Sequence, residues 1–371
     1  METLTSREVI SCLDLKKQHQ QLKQEIFQAF ERVYDNTAFS GGRFVEDFEQ
    51  SFAAFCLTKY AVGVNNGTSA LQLAIIALGI GAGDEVIVPA NTFIATAWGV
   101  SYSGAKPVFV DCTNDTWQID VANIEQHINS RTKAIIGVHL YGQPFDVEAV
   151  QALCTKHNIH FIEDAAQAQG ATYMNKPVGS FGELACFSFY PGKNLGACGE
   201  AGGITTNDEQ LYKQLLSLRN HGSLVRYFHD EIGYNMRMGG LEAASLKVKL
   251  NYLEGWNKRR KEIATRYQTE ITNPKITMQV QPGWAGSVYH LFVVLAEDRD
   301  HLNAYLTSQQ IHAGLHYPVP CHLQKAYLHL NYQQGACPNA EFLAKHCLSL
   351  PMYAELSDAD VQYVIDVINK Y

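Results

Sequence analysis

The chain has 371 residues, 46% of them hydrophobic, which is enough to bury a substantial core and exceeds the usual size of one domain. Its formal net charge is −8 and it carries no long basic run, which excludes nucleic-acid binding through a broad cationic face. The N-terminus is polar, no run approaches the ~20 apolar residues that span a bilayer, and the nine cysteines show no CxxC spacing, so the expectation is a cytoplasmic protein with reduced cysteines and with no membrane segment, disulfide framework or zinc site.

Near the N-terminus Leu22, Ile26, Phe30 and Val33 recur at helical spacing and predict a helix whose stripe meets the core or a second subunit. Short apolar runs then alternate with helical patterns. They predict strands over 61–64, 85–88, 107–111, 134–139, 160–163, 184–189 and 203–206, and helices over 69–78, 147–157 and 208–218. This alternation implies an α/β fold with a mainly parallel sheet covered on both faces. Residues 240–271 read as one long helical connection carrying Trp256. A domain boundary near its middle gives a large domain over 1–250 and a smaller α+β domain over 251–371. The last helix opens at Ser357 and Asp360, with Val361, Val364, Ile365 and Ile368 repeating at helical spacing.

Four places on this framework carry chemistry. Val62-Gly63-Val64-Asn65-Asn66-Gly67-Thr68-Ser69 runs from strand through a glycine turn into a helix start. Gly67 lets the backbone approach an anion, and Thr68 and Ser69 add hydroxyls beside free helical N–H groups. Phe93 follows the next strand and offers a flat face for stacking. Ile159-His160-Phe161-Ile162-Glu163-Asp164 is an apolar strand ending in acid, which places Asp164 where open α/β sheets bind ligands; Gln167 follows three residues on. The residues alone leave open a helix-capping role for Asp164. Finally, Phe187-Ser188-Phe189-Tyr190-Pro191-Gly192-Lys193 carries an apolar run into a turn of small residues. A lysine there loses hydration, its pKa falls, and the free amine becomes a nucleophile toward aldehydes. Small neighbours leave room for a flat cofactor. The pattern fits a Schiff-base lysine for pyridoxal phosphate, with Ser188 on the same approach. Asp164 would hold the ring nitrogen's proton, Gln167 would bond the ring's phenolic oxygen, and Phe93 would stack on the ring.

Taken together with Gly83-Asp84-Glu85-Val86, His139-Leu140-Tyr141-Gly142 and Arg219-Asn220-His221-Gly222, these segments resemble the DegT/DnrJ/EryC1/StrS family of nucleotide-sugar aminotransferases. The resemblance runs over nearly the whole chain. It implies a fold-type I pyridoxal-phosphate enzyme with a seven-stranded sheet, whose N-terminal segment packs with the small domain, acting as a homodimer with sites between subunits. Gly233-Tyr234-Asn235-Met236-Arg237 is similar to a segment that reaches across that dimer. There Asn235 would touch the neighbour's cofactor phosphate and Arg237 an anionic substrate group. His316-Tyr317-Pro318, followed by His322, is similar to a substrate-contacting turn. Gln169 departs from the histidine frequent at that place in the family.

The resemblance implies L-glutamate as amino donor and a nucleotide-linked keto sugar as acceptor. The segments around Lys193 and His316 look most like members that act on dTDP-3-keto-6-deoxyhexoses. Amination at C-4 and a UDP-3-keto-uronic acid substrate are the alternatives. Sugar dehydrases of the family carry histidine in place of the lysine, so Lys193 argues against that branch. A regulator that holds the cofactor without turnover would look the same at these positions.

Overall fold

The computed structural model describes residues 8–371. Its centre is a seven-stranded sheet made of β1 (Tyr60–Val64), β2 (Glu85–Pro89), β3 (Lys106–Val110), β4 (Thr132–Val138), β5 (His160–Asp164), β6 (Leu184–Ser188) and β7 (Gly202–Thr206). The order across the sheet is β1-β7-β6-β5-β4-β2-β3. The five strands β2 to β6 pair in parallel, while β7 runs antiparallel between β6 and β1. All the expected strands are present, with ends shifted by one or two residues.

Successive residues of β2 show how the sheet is covered. Val86 and Val88 join one apolar cluster and Ile87 another, all fully buried. Burial on both faces explains why these strands read as continuous apolar runs, and each such side chain stabilises the fold by about 1.5–3 kcal/mol.

The N-terminal helices are α1 (Lys16–Asp35) and α2 (Arg43–Phe55). The α1 stripe buries Leu22, Ile26, Ala29 and Val33, while Phe30 is only half-buried. On one face of the sheet lie α3 (Gly67–Ala77), α4 (Ile94–Tyr102) and α6 (Glu209–Leu218); on the other, α5 (Val147–His157).

Residues 240–271 form two helices rather than one, α7 (Gly240–Leu250) and α8 (Leu253–Glu270). The N–H groups of Asn251 and Tyr252 bond back three residues to Val248 and Lys249, tightening the chain into a turn. No glycine, proline or capping side chain marks the break.

A second cluster is built on a three-stranded antiparallel sheet, β8 (Ile276–Met278), β9 (Phe292–Ala296) and β10 (Cys347–Leu350). Helices α8, α9 (Arg299–Ser308) and α11 (Asp358–Lys370) supply Ile263, Leu302, Val364 and Ile365 to it, and α10 (Pro338–His346) precedes β10. Ser357 caps α11 by accepting from Asp360 N–H at 3.1 Å. Ile10 reaches into this cluster and donates its N–H to Gln310 O at 2.9 Å. Among the described residues no helix is long and apolar enough to cross a membrane.

Candidate active site

A cavity of about 910 Å³ opens where β4, β5 and β6 end and α3 and α4 begin. The ends of parallel strands are where such sheets hold ligands. Asp164 and Glu163 show how the strand sorts its side chains. Glu163 is fully buried and accepts from Gly179 N at 2.8 Å, Phe181 N at 2.8 Å, Gly182 N at 2.9 Å and His139 Nε2 at 3.0 Å. Burial alone would raise its pKa, but His139 and the backbone donors together hold it below the usual carboxylate range. It is occupied by structure. Asp164, alternating to the other face, lines the cavity.

Asp164 Oδ2 accepts from Thr96 Oγ1 at 2.7 Å, and Oδ1 accepts from Ala166 N at 3.1 Å. Burial pushes its carboxyl up, opposed by the Thr96 and Ala166 bonds and then by Lys193. Thr96 is one turn into α4, beyond Phe93; the sequence reading passed over it. Two carboxylate oxygens fixed this way keep lone pairs for a charged N–H in the cavity.

Lys193 is half-buried on the cavity wall, its loop closed by Lys193 N donating to Tyr190 O at 2.8 Å and Ala197 N to Phe189 O at 2.8 Å. Burial lowers its pKa to about 8, with Asp164 pulling the other way. Near neutral pH a useful fraction of the side chain is therefore free amine. Lys249, fully buried on α7, donates to Gly196 O at 2.7 Å and holds the same loop from below.

At the far end Asn66 caps α3, its side chain accepting from Ser69 N at 2.8 Å. A Cβ on Gly67 would lie 2.7 Å from Ser188 Cβ, so only glycine lets the helix start approach the end of β6. Gly202 on β7 is required in the same way, because a Cβ there would strike the Asn66 carbonyl. Gly67, Thr68, Ser69 and Ser188 all line the cavity. First-turn N–H groups and hydroxyls at one spot make an anion seat.

Phe93 lies at the N-cap of α4, 49% exposed, its ring 5.4 Å from that of Tyr317. Gln167 accepts from Tyr141 N at 2.6 Å and donates to Tyr317 Oη at 3.0 Å, which leaves one amide hydrogen for a ring oxygen. Gln169 is buried and donates to Ser188 O at 2.6 Å, bracing the end of β6. His316 and Tyr317 both line the cavity. His316 Nδ1 lies 2.8 Å from Ser349 Oγ, and burial followed by Lys193 brings its pKa down to about 4.

His322 is a correction. Its ring is fully buried beside Phe109 and Tyr332, its Nε2 meets Glu341 Oε1 at 3.1 Å, and it does not line the cavity. Its partner Glu341, on α10, ties it into the packing. Asn235 and Arg237 also lie outside the cavity lining. Asn235 is exposed; Arg237 donates to Asn220 Oδ1 at 2.8 Å and meets His221 Nδ1 at 3.0 Å.

A partly free amine facing an ionisable carboxylate, with a helix N-terminus at one end and aromatic rings beside them, fits pyridoxal phosphate. The fold and site define a pyridoxal-phosphate-dependent aminotransferase of fold type I. The sequence profile of the DegT/DnrJ/EryC1/StrS aminotransferase family matches residues 20–369, and the chain belongs to that family.

The chain is 46% identical over 363 residues to dTDP-3-amino-3,6-dideoxy-α-D-galactopyranose transaminase of Aneurinibacillus thermoaerophilus, covering 98% of this chain and 99% of that protein. It is 40% identical over 367 residues to UDP-N-acetyl-3-dehydro-α-D-glucosamine 3-aminotransferase of Acidithiobacillus ferrooxidans, covering 99% of each. Among solved structures, DesV of Streptomyces venezuelae in complex with a ketimine intermediate matches with a TM-score of 0.96 at 42% identity, covering 98% of each chain. NtdA of Bacillus subtilis with bound PMP, the aminated form of the cofactor, matches at 0.90 and 29% identity over 98% of this chain and 85% of that one. The protein is a sugar aminotransferase that uses pyridoxal phosphate, and its relatives act on nucleotide-linked sugars.

Proposed function

We propose that the protein transfers the amino group of L-glutamate to C-3 of a dTDP-linked 3-keto-6-deoxyhexose, giving a dTDP-3-amino-3,6-dideoxyhexose. The observation that carries the reading is the Lys193–Asp164 cavity, on a chain 46% identical to a transaminase named for a dTDP-3-amino-3,6-dideoxy sugar. Pyridoxal phosphate would supply an electron-withdrawing ring that stabilises negative charge at the substrate carbon. The α3 N-terminus with Thr68, Ser69 and Ser188 would seat its phosphate. Asp164, oriented by Thr96, would keep a proton on its ring nitrogen. Lys193 would take a proton from the glutamate α-carbon and, on the sugar side, deliver a proton to the sugar carbon that receives the nitrogen.

The reading further takes the active form as a homodimer, in which Asn235 and Arg237 of one subunit complete the cavity of the other. It also divides the chain into a large domain over 1–250 and a smaller one over 251–371, in line with the second apolar cluster, which residues between Ile263 and Ile368 form with Ile10. A UDP-linked 3-keto sugar is the second reading, favoured by the 40% identity to the UDP-sugar 3-aminotransferase. The test is incubation with isotopically labelled L-glutamate and a panel of dTDP- and UDP-linked 3-keto and 4-keto sugars, followed by mass spectrometry and NMR of the product. Label at C-3 of the dTDP sugar is expected; label at C-4 would overturn the regiochemistry.

A further inference from the structure

His290, just before β9, lines the cavity yet has no part in the roles above. Its Nδ1 lies 3.2 Å from Asn194 Oδ1, and Asn194 is the residue after Lys193. The direction of that bond follows from two backbone carbonyls. Asn257 Nδ2 donates to Gln169 O at 2.9 Å, so Asn257 turns its Oδ1 to Asn194 and accepts from Asn194 Nδ2 at 2.9 Å. Asn194 Nδ2 also donates to Val288 O at 3.0 Å. Carbonyls only accept, so Asn194 must present Oδ1 to the imidazole, and His290 Nδ1 carries the hydrogen.

The ring is neutral, because burial first, then Lys193, Arg260 and His316, hold its pKa well below the ordinary value. Its Nε2 is then a bare lone pair. That nitrogen has no partner among the described residues and retains accessible surface. Two carboxamides, Asn194 and Asn257, thus lock one tautomer beside Lys193. What fits is a hydrogen donor. Glutamate's carboxylates and the nucleotide's phosphates bring acceptors only, and the amino nitrogen must stay free to react; a sugar hydroxyl is a neutral donor.

We propose that His290 Nε2 accepts a hydrogen bond from a ring hydroxyl of the keto sugar, and so selects rings that carry a hydroxyl at that position. The proposal rests on the nucleotide-sugar reading above. Two variants separate the ring nitrogens. His290→Asn places an amide near Nδ1, keeps a donor for Asn194 and removes the acceptor; His290→Gln places a carbonyl near Nε2.

Calorimetric titration of the holoenzyme with dTDP, dTDP-glucose, UDP and UDP-glucose measures what the hexose adds to binding. Wild type should bind the hexosyl nucleotide more tightly than the bare one. His290→Asn should lose about tenfold of that gain, as for one neutral hydrogen bond, with affinity for the bare nucleotide and the cofactor's visible spectrum unchanged. His290→Gln should recover part of it. A hexose gain untouched by His290→Asn refutes the proposal. So does an equal loss for the bare nucleotide, or a shifted cofactor spectrum, since His290 would then act through Asn194 on the Lys193 loop. A gain seen with the UDP pair alone defeats the dTDP assignment and leaves His290 to be judged on that pair; no gain with either pair in wild type refutes the His290 bond outright.

Discussion

Around the ends of β5 and β6 the functional side chains are held by bonds within their own chain, whereas the segment between α6 and α7 turns its apolar side chains outward. Asp164 has Thr96 and Ala166, and Gln167 has Tyr141 and Tyr317. In the other region Leu224, Val225, Tyr227 and Phe228 are exposed and Ile232 is 90% exposed, close in sequence to Asn235 and Arg237. Exposed apolar residues grouped in this way mark an interaction surface. The first region is finished in one chain. In the proposed homodimer a second copy would cover the other.

Breaking the first region should have the largest effects. Lys193→Ala removes the nucleophile and the proton carrier together, so turnover and the cofactor's visible absorption should both vanish while the circular dichroism spectrum persists. Normal turnover in this variant would move the amine elsewhere. Asp164→Asn cannot hold the pyridinium proton, and steady-state rates should fall by about 10²–10³-fold, the range for losing one buried electrostatic stabiliser. A rate near wild type would place the ring's partner elsewhere.

Glu163→Gln sharpens the contrast between the two neighbouring acids. It should destabilise the protein by about 2–4 kcal/mol, because an amide meets three N–H donors with half the acceptors, and urea unfolding would read this directly. The pH dependence has a definite sign. Glu163 is held below its unfolded value, so its stabilisation is present above a pH of about 4.3 and is lost as pH falls through the folded pKa. The variant should therefore unfold with a weaker dependence on acid than wild type. Equal acid sensitivity would contradict the assignment of a structural carboxylate.

The seven main strands were legible because each is an apolar run between turn signals, buried on both faces. Lys193, Asp164 and Gly67 were legible because strand-to-loop context is local. Longer-range facts were not. The break between α7 and α8 carries no glycine, proline or cap, so periodicity runs straight through it. His322 was expected to contact substrate only through the family resemblance of its turn, and only the fold reveals Glu341 against its ring. Thr96 was within reach, since it follows Phe93 by three residues on a helix that starts there. His290 was not: its tautomer depends on Asn194, Asn257 and Gln169, which come together only in three dimensions.

The most direct test of the contrast between a finished and an unfinished region is subunit mixing. Lys193→Ala and Arg237→Ala proteins, each inactive alone, are unfolded, refolded together and assayed with the same keto sugar. If Arg237 serves the neighbouring subunit, each hybrid dimer contains one complete site, and an equal mixture should recover about a quarter of wild-type activity, since half the dimers are hybrids with one working site of two. No recovery, with hybrid dimers demonstrated by native mass spectrometry, would contradict the account and return Arg237 to its own chain's cavity.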